Sequence, residues 1–272
     1  MTFSVTFWGV RGSIACSGDA FARYGGNTAC VEAQIGGTSF ILDAGTGLMP
    51  LGRRMAGAEP AACHILLSHA HWDHICGFPF FAPCYDPRWR IHVHAGNMAA
   101  NGGVRQVLMG QMQAPYFPAP LSAMAADIRF TDFDPGETLI LGDGVTVRTA
   151  PLNHPGGCTG YRLEWAGKSL AYITDNEVPP GGNDPAIALM QDVDLVLFDA
   201  AYTQAEYESR KGWGHSTWQE GVRLARAAGA RKLVLIHHDP AHDDEFMARI
   251  ERAAQDRWPR VWAAREGATI VL

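Results

Sequence analysis

Apolar residues fall into short stretches along this chain, and most of those stretches end on a glycine turn or on an isolated acid or histidine. Thr28 to Ile35 and Thr38 to Leu42 flank Gly36-Gly37, which predicts a hairpin whose second strand runs out onto Asp43-Ala44-Gly45. His64 to Leu67 is a short apolar run that reads as a buried strand, and the histidine cluster that starts at His69 begins at its carboxyl end. Val145 to Ala150 leads towards Asn153-His154, and Tyr161 to Trp165 pairs with Ser169 to Thr174 around Ala166-Gly167, just before Asp175. Leu195 to Phe198 reaches Asp199, and Lys232 to Ile236 reaches His237. Six predicted strands therefore end on Asp or His, and in layered α/β proteins a ligand site gathers beyond strand ends.

Helical patterns fill the intervals. Thr217-Trp218-Gln219-Glu220 is a capping-box sequence, and the helix it predicts runs through Val222, Leu224 and Ala225 to Gly229 as its C-cap. A second helix is expected from about Asp243 to Gln255, with Phe246, Ile250 and Ala253 on its apolar face. Hairpins with helices outside them predict layers in the order helix, sheet, sheet, helix. Phe78 to Pro120 gives no comparable reading. Its Ala114-Pro115-Tyr116-Phe117-Pro118 segment suits an aromatic wall for a nucleobase, a core contact or a dimer contact.

Composition narrows the class. The chain has 272 residues, 47% of them hydrophobic, enough to bury a large core, and no linker or repeat divides it, so residues 1–272 are expected to form a single domain. A net charge of -6 with no basic stripe argues against a standing partnership with a large nucleic acid, while small anionic substrates remain open. The first residues lack the positive start of a signal peptide, and no apolar run reaches membrane-spanning length, which predicts a cytoplasmic protein. Six cysteines without a CxxC pair agree with reduced thiols.

The chemistry concentrates in Ser68-His69-Ala70-His71-Trp72-Asp73-His74. His69 and His71 alternate and can grip one ion from the same side, while Asp73 and His74 reach the other, which predicts a dinuclear metal centre. His92 and His94 also alternate, in Arg90-Ile91-His92-Val93-His94, but lack carboxylate company and read as structural, as do His64 and His242.

HxHxDH at 69–74, followed by His154, Asp175 and His237 at strand ends, resembles the metallo-β-lactamase superfamily, whose fold is a four-layer αββα sandwich of the α/β class. Gly214-His215-Ser216-Thr217 is similar to the His-Ser-Thr motif of its ribonuclease Z branch. Phe7-Trp8-Gly9-Val10-Arg11-Gly12-Ser13 and Leu235-Ile236-His237-His238-Asp239-Pro240 resemble bacterial proteins related to cyclic nucleotide phosphodiesterases. The resemblance implies that His69, His71 and His154 hold one divalent ion, that Asp73, His74 and His237 hold the other, and that Asp175 bridges them. Zinc suits this donor set best, with manganese and iron as alternatives, and the ion pair would activate a shared hydroxide for attack on an ester.

Asp73 thereby joins the catalytic residues, with His215 as general acid towards the leaving alkoxide and Ser216 as a ligand for a phosphate oxygen. His238 competes with His237 for the last metal position, and Asp43, Asp199, His238 and Asp239 are expected behind the ligands. Arg11 and Asn27 are read as turn residues. The basic arm with which ribonuclease Z proteins hold transfer RNA has no counterpart here, which points to a small, possibly cyclic, nucleotide diester. A homodimer is compatible with the sequence. Lactonase or thioesterase activity is the alternative, and a non-catalytic metal or nucleotide sensor a more distant one.

Overall fold

The computed structural model describes residues 2–178 and 185–272. Among them the aliphatic runs become strands buried on both faces. β1 (Phe3–Gly9), β2 (Cys30–Ile35), β3 (Thr38–Leu42), β4 (Ala62–Leu67), β5 (Arg90–Ala95) and β6 (Asp127–Asp132) lie side by side in chain order. β7 (Thr138–Leu141), β8 (Val145–Leu152), β9 (Cys158–Trp165), β10 (Lys168–Ile173), β11 (Leu195–Asp199), β12 (Leu233–Ile236) and β13 (Val261–Ala263) form a second sheet, also in chain order. The last strand, β14 (Thr269–Val271), returns to the first sheet beside β1. The hairpin expected around Ala166-Gly167 pairs Trp165 with Lys168, and both turn residues have positive φ, 49° and 74°, as a tight two-residue hairpin turn requires.

Alternation along the strands decides the layers. Phe40 and Leu42 point into the core between the sheets, while Ile41 faces outward; Leu195 and Leu197 point in while Val196 and Phe198 face out. The outer face of the first sheet is covered by α1 (Leu48–Ala56) through Leu48, Leu51 and Met55, with the short α2 (Trp72–Ile75) and α3 (Val104–Gln111) contributing to the same cluster. On the second sheet, α4 (Pro185–Met190), α6 (Trp218–Ala227) and α7 (Asp244–Arg257) do the same, and α5 (Gln204–Tyr207) is a single turn between β11 and α6. The expected four-layer αββα sandwich is the observed architecture.

Two local expectations change. Thr217 caps α6 by accepting from the Glu220 N–H, but the Glu220 carboxylate bonds Arg223 instead of returning to the cap, so only half of the capping box forms. The buried face of α7 is set by Met247, Ile250 and Ala254; Phe246 and Ala253 are only partly buried, and Phe246 stacks on His242 at 4.1 Å. No helix among the described residues is long and apolar enough to cross a membrane.

Strand direction then places the chemistry. β3 and β4 are parallel, as are β10, β11 and β12, and β8 runs the same way as β10 because both are antiparallel to β9. Asp43, His69, His154, Asp175, Asp199 and His237 therefore follow strands that deliver them to one edge of the sandwich.

Candidate metal centre

At that edge two groups of side chains converge on one carboxylate. His69, His71, His154 and Asp175 bring ligand-type atoms within 4.8 Å of one another, and so do Asp73, His74 and His237. Asp175 faces both groups with different oxygens. Its Oδ2 lies 3.6 Å from His69 Nε2 and 3.7 Å from His154 Nε2, whereas its Oδ1 lies 3.3 Å from His74 Nε2 and 3.2 Å from His237 Nε2. Asp73 Oδ2 sits 3.2 Å from His74 Nε2 and 3.3 Å from His237 Nε2, and His71 Nδ1 lies 3.0 Å from His154 Nε2.

The far sides of these ligands are tied down. Asp43, fully buried, accepts from the Ser68 N–H at 2.7 Å, the Ser68 hydroxyl at 2.8 Å and the Tyr172 hydroxyl at 2.7 Å, and pairs with His74 Nδ1 at 2.8 Å. That fixes the His74 ring with Nε2 aimed at the cluster. His154 Nδ1 meets the Gly214 carbonyl at 2.9 Å, which turns its Nε2 the same way. Gly214, at φ 85°, could carry no side chain, since a Cβ would come within 2.2 Å of His154 Nδ1; at Gly12 a Cβ would strike the His237 ring at the same distance. The Ser13 N–H donates to Asp73 Oδ2 at 2.7 Å.

Backbone strain collects here as well. Six non-glycine residues among those described have positive φ, and four of them, Ser13, Asp43, Asp175 and His237, belong to this constellation. Each such residue costs on the order of 1–3 kcal/mol, which the surrounding bonds must hold in place.

A metal ion fits the residues present. His69 Nε2 and His74 Nε2 are buried and make no hydrogen bond, and unpaired buried imidazole nitrogens gathered around carboxylates are what a divalent ion would satisfy. Burial opposes ionisation of Asp175, but His237, His74 and His69 outweigh it and hold the carboxyl well below its usual range. Burial likewise opposes a charge on His74, yet Asp73, Asp175 and Asp43 raise its pKa.

His215 packs against this centre. Its ring stacks on His237 at 4.8 Å and meets His154 edge-on at 5.2 Å, and its Nδ1 bonds Asp199 at 2.9 Å. Burial disfavours its charge, but Asp199, then Asp175 and Asp73, raise its pKa to about 9. Asp175, Asp199, His215 and His237 also bring ligand atoms within 4.8 Å, but His215 Nδ1 and Asp199 Oδ2 are already spent on each other. Glu177 accepts from the N–H groups of Gly212 and Gly214 and from the Tyr207 hydroxyl, holding the loop that carries His215.

Some expectations move. Ser216 is buried and donates its single proton to the Asn176 carbonyl, so it ties the His215 loop to the loop after β10 and has no proton to give a phosphate oxygen. His237 faces the cluster, while His238 turns away to the Ala264 carbonyl and the edge of Tyr24. Arg11 is fully buried and donates to the Gly25, Asp239 and His242 carbonyls, and Asn27 bonds Glu266, so neither side chain reaches the centre. Sequence reasoning missed Ser13, Tyr172 and Glu177. A backbone N–H leaves no trace in a sequence, and the other two act through partners 30 or more residues away.

Comparison with known proteins identifies the family and the fold. Residues 38–238 match the sequence profile described as the beta-lactamase superfamily domain. The ribonuclease Z of Haloarcula marismortui is 23% identical over 288 aligned residues, spanning 87% of this chain and 86% of its own. The metallo-beta-lactamase fold protein YhfI from Bacillus subtilis superposes with a TM-score of 0.74 at 18% identity over 100% of both chains. A diphosphatase from the PhnP family superposes with a TM-score of 0.70 at 19% identity, over 98% of this chain and 97% of its own.

Proposed function

We propose that this chain, which belongs to the beta-lactamase superfamily and is a metal-dependent hydrolase, cleaves small phosphodiesters of nucleotide type at a two-ion centre. The division of Asp175, one oxygen towards His69 and His154 and the other towards His74 and His237, carries the reading. His69, His71 and His154 would hold one ion, Asp73, His74 and His237 the other, and Asp175 both. Imidazole and carboxylate donors suit zinc, with manganese and iron as alternatives. When bound, two divalent ions supply Lewis acidity, lowering the pKa of water and neutralising phosphate oxygens.

The protein's own part is positioning and proton transfer. Asp43 and the Gly214 carbonyl orient His74 and His154. His215, whose Nδ1 pairs with Asp199, would give its proton to the departing oxygen, which a ribose alkoxide needs because of its high pKa. Phosphoryl chemistry is supported by the names of two similar proteins, a ribonuclease and a diphosphatase. A small substrate is supported by the net charge of -6. The same reading takes the chain as one catalytic domain, working in the cytoplasm without a membrane or a large nucleic acid as standing partner, and leaves room for a homodimer.

The test is a ranking of kcat/KM on metal-defined protein. Bis(p-nitrophenyl) phosphate and at least one nucleotide diester should lead lactones and thioesters. A ranking led by a lactone or thioester would assign the chain to carboxylic ester hydrolysis instead.

A further inference from the structure

His154 and Asp175 lie on loops that no strand pairing joins. His154 follows β8 and Asp175 follows β10, but β9 lies between those two strands, so their ends share no ladder bonds. Glu177, just beyond Asp175, closes the gap with both its backbone and its side chain. Its N–H donates to the Asn153 carbonyl at 2.9 Å and its carbonyl accepts from Asn153 Nδ2 at 2.7 Å, which fixes the residue before His154. Asn176 helps by accepting the Asn153 N–H at 2.9 Å, but Glu177 also reaches the far side of His154. Both oxygens of its carboxylate lie 2.9 Å from the Gly212 nitrogen; Oε2 also accepts from the Gly214 N–H at 2.9 Å, and Oε1 from the Tyr207 hydroxyl at 2.8 Å. The Gly214 carbonyl in turn meets His154 Nδ1, and because a carbonyl can only accept, Nδ1 carries the proton and Nε2 keeps its lone pair for a metal.

We propose that Glu177 is a positioning residue for His154 and sets the affinity of the ion held by His69, His71 and His154 without affecting the other ion. A glycine at φ 85° has no side chain to restrict the peptides on either side of it, so the direction of the Gly214 carbonyl depends on what holds the Gly214 N–H, and Glu177 holds it. Without the carboxylate the carbonyl can turn off Nδ1, and the His154 ring loses both its direction and the tautomer that leaves Nε2 open. The ligands of the second ion are fixed elsewhere, His74 by Asp43 and Asp73 by the Ser13 N–H, and Glu177 bonds neither of those partners. Asp43 and Glu177 are thus two outer carboxylates, one behind each ion. The claim rests on the two-ion reading and is independent of the substrate.

The test is a titration of metal-free protein with zinc in competition with a chelator, which needs no substrate. The parent should bind two equivalents. Glu177→Ala should weaken one of them about 10- to 100-fold and leave the other within about threefold, while Asp43→Asn weakens the other one instead. Combining the two substitutions should therefore weaken both equivalents. Glu177→Gln, whose amide oxygen can still accept the Gly214 N–H, should lose less than Glu177→Ala. Two weakened equivalents in Glu177→Ala alone, or none, would overturn the assignment, and so would one tight equivalent surviving in the double variant, which would put Glu177 and Asp43 behind the same ion. A loss in Glu177→Gln as large as in Glu177→Ala would overturn it too, by making charge and not the grip on Gly214 the cause. A parent that binds a single equivalent would remove the two-ion reading; the role of Glu177 would then stand if Glu177→Ala weakened that ion and fall if it did not.

Discussion

β4 serves two sets of buried histidines, one in the body of the strand and one just past its end. Within it, His64 places Nδ1 3.1 Å from His94 Nε2 of β5 and stacks on Phe40 at 5.0 Å, with the His92 ring also 5.0 Å away. Beyond it, His69 and His74 meet Asp73 and Asp175. Burial and neighbouring imidazoles push His64 down to about 4 and His94 to about 3, so both rings are neutral. At the strand end burial acts in the same direction on His74 and His237, yet the carboxylates outweigh it and raise both. Imidazole alone does not make a site. What separates the two sets is the acid supplied around them, Asp43 and Asp175 from left-handed positions past strand ends and Asp73 from α2.

The comparison breaks most visibly at Asp175. Asp175→Ala removes the oxygens that face both ligand groups, and kcat/KM on a nucleotide diester should fall by about 10³-fold or more. Retained activity would mean that the two groups work independently. His215→Ala comes next: metal content should hold while kcat falls about 10²- to 10⁴-fold for a ribose leaving group and less for nitrophenolate, which departs without a proton. Equal losses on the two substrates would make His215 a positioning residue. Because Asp199 raises the pKa of His215, Asp199→Asn should also move the alkaline limb of the pH profile to lower pH.

A smaller effect is expected at Asp43, which touches His74 and no substrate. Asp43→Asn should weaken metal affinity about 10- to 100-fold, measured by competition with a chelator. Smallest is the inter-sheet set, where only stability should respond. His64 and His94 titrate near 6.5 when unfolded and near 4 and 3 when folded, so the unfolded chain binds the extra protons and stability is lost as pH falls below 6.5. His94→Gln should therefore lose less urea resistance than the parent between pH about 6.5 and about 4.5. Identical slopes would show that His94 is not held neutral.

How far the sequence reached depends on where each interaction is encoded. The runs ending at Asp43, Asp175, Asp199 and His237 are legible because strands buried on both faces are aliphatic throughout, but for the same reason Leu195-Val196-Leu197-Phe198 does not show which side meets the other sheet. β1, with its alternating Ser4 and Thr6, the largely exposed β6 and β7, and the three-residue β13 and β14 went unassigned. In the site, HxHxDH is compact enough to read directly, whereas His154, Asp175 and His237 needed a family resemblance to be joined to it. Ser216 misled because its partner is a backbone carbonyl 40 residues away, invisible to any motif.

The account stands on two ions held by the carboxylate-bearing set and none by the inter-sheet set. Elemental analysis of purified active protein, with His94→Gln and Asp175→Ala beside it, tests this most directly. Two equivalents per chain are predicted for the parent and for His94→Gln, and fewer than one for Asp175→Ala. Full activity with a single ion per chain, or two ions surviving in Asp175→Ala, would contradict it.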